Sequence, residues 1–427
     1  MKKYNLADLT ASELAQVLQR PLFDLDELEA RVKPVLSEIK NNGDKALKEF
    51  TSKFDGVELD QFIISDAEYK EAESLVSDEL KAAIRVAKAN IEKFHNTQIE
   101  GVNKVETVSG VTCWRETRAI SKVGLYIPGG TAPLFSTILM LAIPAQIVGC
   151  KEIVLCTPPN KEGKVHPAIL FTVKELGLNK VYKAGGAQAI AAMAYGTETV
   201  PKVYKIFGPG NQYVTLAKQL ITKDGIAIDM PAGPSEVAVV GDETSNPAFV
   251  ASDLLSQAEH GVDSQTILVT TSEKLIKEVE IELEKQVSVL PRAEFARKAL
   301  NNSKSIIASN MDEVMEVIND YAPEHLIFSL DNFEYLIDKV ENAGSVFLGP
   351  YTPESAGDYA SGTNHTLPTN GYAMNYSGVS LDSYIKKVTF QHITKEGINN
   401  IGPAVEIMAE AEELRAHKNA VTLRLKS

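Results

Sequence analysis

The stretch that decides the fold runs from Lys122 to Asp229. It reads VGLYI (Val123–Ile127), FSTILMLAIPAQIV (Phe135–Val148), EIVLC (Glu152–Cys156), a helical run after Pro167, KVYKA (Lys180–Ala184), AQAIAAMAYG (Ala187–Gly196), KVYKIF (Lys202–Phe207), NQYVTLAKQL (Asn211–Leu220) and GIAID (Gly225–Asp229). Short β-branched runs alternate with helical ones, the pattern of a parallel, doubly wound α/β sheet. A second series follows. SEVAVVG (Ser235–Gly241), QTILVT (Gln265–Thr270), SIIAS (Ser305–Ser309), HLIFS (His325–Ser329) and AGSVFLG (Ala343–Gly349) are separated by helical runs beginning at Pro247 and near Asp312. Two series predict two Rossmann-like sheets, each covered by helices.

Outward from this centre the pattern changes. Leu25–Phe54 and Asp66–His95 carry apolar residues at helical spacing, so the first hundred residues read as helices. Gly349–Ser383 is a long Gly-, Ser-, Thr-, Asn- and Tyr-rich stretch, unusual in a compact domain unless it is functional. A last helix is predicted over Pro403–His417, opening a small C-terminal helical unit. The expected division is a helical segment 1–24 packing with 108–122, a substrate and metal unit of 25–107 with 236–381, a nucleotide-binding unit of 123–235, and a terminal unit of 382–427.

Bulk properties narrow the function. At 427 residues the chain exceeds one ordinary core. Acidic residues outnumber basic ones by 57 to 43, a net charge of −14, which excludes the basic footprint a nucleic-acid binder needs. Met1-Lys2-Lys3-Tyr4 leads into polar sequence with no apolar signal core, and Thr137–Cys150, the longest apolar run, is too short to cross a bilayer. Three cysteines without a CxxC pair argue against a disulfide framework. A cytoplasmic protein that handles small molecules, with no nucleic-acid or membrane partner, is the expectation.

Four segments carry candidate chemistry. In DLLSQAEHG, Gln257 and His260 share a helical face at a C-terminus, where a histidine also simply complements the helix dipole. In YAPEHLIF, Glu324 and His325 are adjacent acid and imidazole ahead of a strand, at the sheet edge where open α/β sheets place ligands; a surface Glu beside a half-buried His would look the same. In GPYTPESAGDYASGTNHTLPT, Asp358 and His365 sit in the Gly-rich stretch, where an Asp also serves turns; with amide oxygens they make a thiolate-free ligand set suited to a working zinc site. In AEELRAHKNAV, Glu412 and His417 lie five apart near the chain's end. Four of the seven histidines thus fall in Gly-, Pro- or acid-flanked positions.

Nucleotide chemistry has its own signals. Gly208-Pro209-Gly210 follows a strand and leads to a helix opening at Asn211, like the first two glycines of the dinucleotide fingerprint; Tyr213 takes the third place. Asp229, at a strand end 19 residues beyond Gly210, stands near where a ribose-binding acid lies. KAGGAQAI and GLYIPGGTAP are two more Gly-turn-to-helix junctions. Cys150 and Cys156 flank an apolar strand, where cysteine serves as a small core residue rather than a nucleophile.

Eight of these stretches together resemble the histidinol dehydrogenase family: VGLYIPGGTAPLFSTILMLAIPA, GGAQAIAA, KIFGPGN, DMPAGPSEV, ASDLLSQAEHG, YAPEHL, AGDYASGTNHTLPT and LRAHKNAV, in that family's order from Val123 onward. The resemblance implies one zinc ion on Gln257, His260, Asp358 and His417, with Glu324 and His325 as proton-transfer residues. It implies substrate contacts from Ser235, Glu412 and the metal-site residues, and NAD contacts from Tyr126, Gln188 and Asn211. It implies an intertwined homodimer in which the C-terminal segment, with Glu412 and His417, completes the partner's site, and two NAD consumed as L-histidinol becomes L-histidine. The residues alone also admit a zinc hydrolase or deaminase, a paralogous alcohol dehydrogenase of another substrate, and a non-catalytic binding protein.

Overall fold

The computed structural model describes residues 1–20, 25–129 and 133–427. Its strands, in chain order, are β1 (Lys2–Asn5), β2 (Lys104–Val108), β3 (Val111–Ala119), β4 (Lys122–Tyr126), β5 (Glu152–Thr157), β6 (Val181–Lys183), β7 (Lys205–Phe207), β8 (Ala227–Ile228), β9 (Glu236–Gly241), β10 (Gln265–Thr270), β11 (Lys304–Ile307), β12 (His325–Phe328), β13 (Ser345–Leu348) and β14 (Ile385–Ile393).

Both predicted parallel sheets are present. One has the order β6-β5-β4-β7-β8, the other β1-β11-β10-β9-β12-β13, with every pairing parallel. Setting β1 aside, the two share one topology: the first strand of each unit lies between the second and the fourth, with the third and fifth at the edges. The chain reverses direction across β4 and β7 in one sheet and across β9 and β12 in the other. The central strands are buried on both faces, which explains their continuous apolar runs. The helix Phe135–Ile147 is apolar all round, and Ser136 to Ala145 are buried between layers.

The helices of the first hundred residues pack elsewhere than expected. Val32, Leu36, Ile39 and Leu47 of the helix Leu25–Phe50 join the core of the β4–β8 sheet with Ile190 and Val214. Ile84, Ala87 and Ile91 of the helix Asp78–Asn96 pack with Ile138 and Leu141 on the same sheet. Residues 25–96 therefore pack mainly on the core of the 123–235 unit, while the end of the second helix also touches the 236–381 unit, Asn90 Nδ2 donating to Ala360 O at 2.8 Å and His95 Nε2 lying 3.4 Å from Asn364 Nδ2. An apolar stripe states that a helix is covered, not by which sheet. Ser65 and Ser77 each cap a helix start, so Asp66–His95 forms two helices, Asp66–Leu75 and Asp78–Asn96.

The N-terminal segment also differs. Ahead of its helix it opens with β1, an edge strand on β11, with Lys2 N–H donating to Ser303 O at 2.9 Å. Leu18 of the helix Ala11–Leu18 is buried with Ile306 and Ile318. The end of that segment, 21–24, lies outside the described residues.

A three-stranded antiparallel sheet, β14-β3-β2, was not foreseen. β14 leads into two helices, Lys395–Ala411 and Arg415–Leu425, where one helix over 403–417 was expected. Glu413 turns left-handed (φ 59°) and ends the first. Among the described residues no helix is long and apolar enough to cross a membrane.

Candidate active site

The acid–imidazole pair sits at the amino ends of the β9–β13 sheet's central strands, not at the carboxyl edge that open α/β sheets favour. His325 is the first residue of β12, Glu236 the first of β9, and their neighbouring positions pair in register. The helix Pro247–Ala258 returns antiparallel to β9 and delivers Gln257 to the same end. The negative end of its dipole points there, which favours a cation or a protonated imidazole.

One peptide organises the cluster. The Glu236 backbone N–H donates to Glu324 Oε2 at 2.9 Å. The Glu236 carbonyl accepts from Gln257 Nε2 at 3.2 Å and lies 3.1 Å from His325 Nδ1, itself 3.0 Å from Gln257 Nε2. On its other side His325 presents Nε2, 3.4 Å from Asp358 Oδ1. Just before the pair, Ala322 ends the helix Met311–Tyr321 in the left-handed region at φ 48°, a strained turn for a residue with a Cβ.

The Gly-rich stretch supplies the remaining carboxylates. It forms a short helix, Glu354–Tyr359, on which Glu354 and Asp358 are one turn apart on one face. The His365 ring lies 2.8 Å from the Asp358 carbonyl through Nδ1 and 3.2 Å from Thr137 Oγ1 through Nε2, tying the stretch to the other sheet's helix. Asn364 Nδ2 donates to Met140 O at 2.6 Å, and Asn370 N–H to Glu236 Oε1 at 3.0 Å.

Electrostatically the centre is overloaded with carboxylates. Burial pushes Glu324 and Glu354 each up to about 8. Burial alone would drive a proton off His325, but Glu354, Glu324 and Asp358 outweigh it and hold the imidazole protonated well above its ordinary range. Burial would raise Asp358 as well, yet its contact with His325 wins and keeps it below the usual carboxylate range.

The same residues suit a divalent cation. Gln257 Oε1, His325 Nε2 and Glu354 Oε2 are buried without hydrogen-bond partners. One ligand atom each from His325, Glu354 and Asp358 lies within 4.8 Å of the others. Oxygen and imidazole donors without thiolate make a borderline-to-hard set that fits zinc or a similar ion. A cation there would replace the protons this cluster otherwise holds.

The sequence-predicted residues divide as follows. Gln257, Glu324, His325 and Asp358 converge. His260 follows directly on the Gln257 helix, within electrostatic reach of Asp358, His325 and His365. Ser235 immediately precedes β9. Glu412 and His417 are exposed on the C-terminal helices, which pack on each other and on β2 and β14, away from this chain's cluster. Glu354 was missed, although its spacing from Asp358 was legible.

The second site is a cavity of about 1590 Å³ at the carboxyl ends of β4, β5, β6 and β7. Tyr126, Gln188 and Asn211 all line it. The Tyr126 hydroxyl accepts from Gly186 N–H at 3.0 Å, and Asn211 caps its helix by accepting from Tyr213 and Val214 N–H, both at 3.1 Å. Helix starts at Gly186 and Gln212 point their N–H ends here, as an anionic ligand requires. Gly208, at φ 124°, lies so close to the Tyr126 carbonyl that a Cβ would stand 2.1 Å from it. Of the third junction, GLYIPGGTAP, Gly129 and Pro133 line the cavity, and Gly130, Thr131 and Ala132 lie outside the described residues. Asp229 is not available to a ribose: it pairs with buried Lys218 at 2.5 Å and accepts from Gly208 N–H at 2.8 Å. Cys156 is fully buried in β5, and burial pushes the Cys150 thiol up to about 12, so neither is an activated nucleophile.

Fold and site define a protein of two Rossmann-like α/β units, with a ligand cavity at the carboxyl ends of one sheet and a buried acid–imidazole cluster at the amino ends of the other. The family model described as histidinol dehydrogenase matches residues 18–425, and the chain belongs to that family. Histidinol dehydrogenase of Bacteroides thetaiotaomicron is 61% identical over 96% of this chain and 96% of its own length. The chloroplastic histidinol dehydrogenase of Arabidopsis thaliana is 52% identical, covering 100% of this chain and 92% of the relative. The crystal structure of histidinol dehydrogenase from Elizabethkingia anophelis superposes with a TM-score of 0.97 at 57% identity, covering 100% of this chain and 98% of that one.

Proposed function

We propose that the chain oxidises L-histidinol through L-histidinaldehyde to L-histidine, the end of histidine biosynthesis, in two NAD-linked steps at a zinc-bearing site. Membership of the family supports the substrate. The observation that carries the chemistry is the meeting of Glu324, His325, Asp358 and Gln257 at one buried centre.

When bound, zinc supplies a Lewis-acidic anchor for the substrate's imidazole and amine, and NAD accepts a hydride in each step. Asp358 and Gln257, with His260, hold the metal side of the pocket. His417 and Glu412 reach it from the second subunit of an intertwined homodimer, which accounts for their exposure in the single chain. His325 takes the hydroxyl proton as the alcohol is oxidised. Glu324, held by the Glu236 N–H, takes a proton from the water that adds to the aldehyde. Each oxidation releases protons, so two bases side by side match the demand. Ser235 contacts the substrate at the start of β9, and Tyr126, Gln188 and Asn211 hold the dinucleotide. Three cysteines, all free, suit a reducing compartment, and the cytoplasm is the compartment assigned in this reading.

The test is turnover of L-histidinol with NAD before and after chelation, with zinc restored. Activity lost and regained supports the assignment. Activity indifferent to metal in chelator-stripped protein would overturn the zinc assignment, and hydrolysis of a small nitrogenous compound without NAD reduction would favour the hydrolase reading.

A further inference from the structure

The fold places a demand on the dinucleotide cavity that the sequence motifs leave unmet. In a Rossmann-like unit an acid at the carboxyl end of the second strand accepts the adenosine ribose hydroxyls. Here that strand is β5, and it ends in Thr157-Pro158-Pro159, with no acid. Asp229, the acid that sequence spacing suggested, is engaged by Lys218 and the Gly208 N–H.

A carboxylate arrives at the same place from elsewhere. Asp55 closes the π-helical turn Thr51–Asp55 that follows the helix Leu25–Phe50, and it lines the cavity. Its position is fixed by two contacts at the strand ends. Asp55 Oδ2 accepts from Gln188 Nε2 at 3.2 Å. A Cβ on Gly185, just beyond β6, would meet Asp55 Oδ1 at 3.1 Å and Pro158 Cβ at 2.5 Å, so Asp55, Gly185 and Pro158 crowd one corner at the ends of β5 and β6.

Asp55 is also the uncommitted acid of the cavity. Three carboxylates line it among the described residues. Glu68 is paired with Lys183 at 3.0 Å, and Glu71 with Lys164 at 2.6 Å. Asp55 has only the neutral amide of Gln188.

We propose that Asp55 reads the adenosine ribose of the dinucleotide, accepting its hydroxyl protons and repelling a 2′-phosphate, so that the cavity takes NAD and refuses NADP. The inference rests on the dehydrogenase reading above and adds a specificity-determining residue to it. A carboxylate accepts from two adjacent hydroxyls with both oxygens, and these charge-assisted bonds are the strong ones. A phosphate at the same position meets like charge instead, the repulsive element that specificity needs.

The experiment compares the wild type with Asp55→Asn, using kcat/KM for NAD and for NADP with L-histidinol, and thermal melting to establish folding. Expected is a raised KM for NAD at nearly unchanged kcat in the variant. The NAD-over-NADP preference should narrow by roughly ten- to a hundred-fold. Part of that change should be a gain with NADP, which damage to the fold does not produce. In the wild type, 5′-AMP should compete with NAD more strongly than 2′,5′-ADP, by roughly tenfold or more, a readout independent of any variant. Asp55→Ser is read in the same way should the Asn variant fail to fold. An unchanged preference in a folded variant, or equal competition by the two nucleotides, would overturn the role of Asp55 and leave the dehydrogenase reading standing. Absence of reduction of either dinucleotide by the metal-loaded wild type would instead sink that reading and this inference with it.

Discussion

Arg20 clamps Glu236 across 216 positions of sequence: Nε reaches Oε1 at 2.5 Å, Nη2 reaches Oε2 at 2.8 Å, and the carboxylate is 1% exposed. Arg20 also donates to the Tyr321 carbonyl at 2.5 Å and lies over the Tyr321 ring at 4.0 Å. The peptide of Glu236 in turn holds Glu324, Gln257 and His325. A side chain outside both sheets thus fixes the strand end on which the cluster is built. Removing one partner of a buried pair strands the other's charge, at about 3–5 kcal/mol. Arg20→Ala should lower stability by about that amount in denaturant unfolding. It should also reduce kcat more than KM, because it disturbs the bases and not the dinucleotide cavity. Stability and activity close to wild type would show that the clamp positions nothing.

Glu324→Gln keeps an oxygen to accept the Glu236 N–H but removes the base. Oxidation of supplied L-histidinaldehyde should fall by roughly 10²- to 10⁴-fold, while oxidation of histidinol to the aldehyde falls far less. Single-turnover measurement of each half-reaction separates them. Equal losses in both would overturn the division of labour between Glu324 and His325.

The alternation of strands and helices from Val123 to Gly349 made the two sheets legible, because strands buried on both faces must be apolar throughout. The candidate residues were legible too, as Pro- and Gly-flanked acids and imidazoles. What failed was placement. The stripe of Val32, Ile39 and Leu47 gave no sign of which sheet it covers, and the polar strands of the β14-β3-β2 sheet carry little period-two signal, since several of their positions face water on both sides. Glu354 escaped notice because a carboxylate in a Gly-rich stretch reads as solvated until a helix turn aligns it with Asp358. The cluster's position at the amino ends of β9 and β12 runs against the usual rule for ligand sites and had no signature in sequence.

Burial raises Asp55 from an ordinary carboxylate value to about 6, with the Gln188 hydrogen bond opposing. The sign follows from linkage: a carboxylate whose folded pKa is raised adds stability when protonated in both states and loses it as pH rises through the folded value. Asp55→Asn should therefore melt higher than the wild type at pH 8, with the gap closing between about pH 6 and pH 4. A gap that does not change with pH would show that Asp55 is not held at a raised value.

Neither Cys150 nor Cys156 enters the chemistry described here. Cys150→Ala and Cys156→Ala should keep both half-reactions within about twofold and lose roughly 1 kcal/mol of stability or less at Cys150, more at fully buried Cys156. Loss of the aldehyde step alone in either variant would bring a thiol intermediate back.

The most direct measurement is the stoichiometry of NADH against L-histidinol in zinc-loaded protein with NAD in excess. Two NADH per histidinol, with L-histidine as product, is the expected result. One NADH per histidinol with aldehyde released would contradict the two-step reaction and point to a simple alcohol dehydrogenase; no NADH would contradict the dehydrogenase assignment itself.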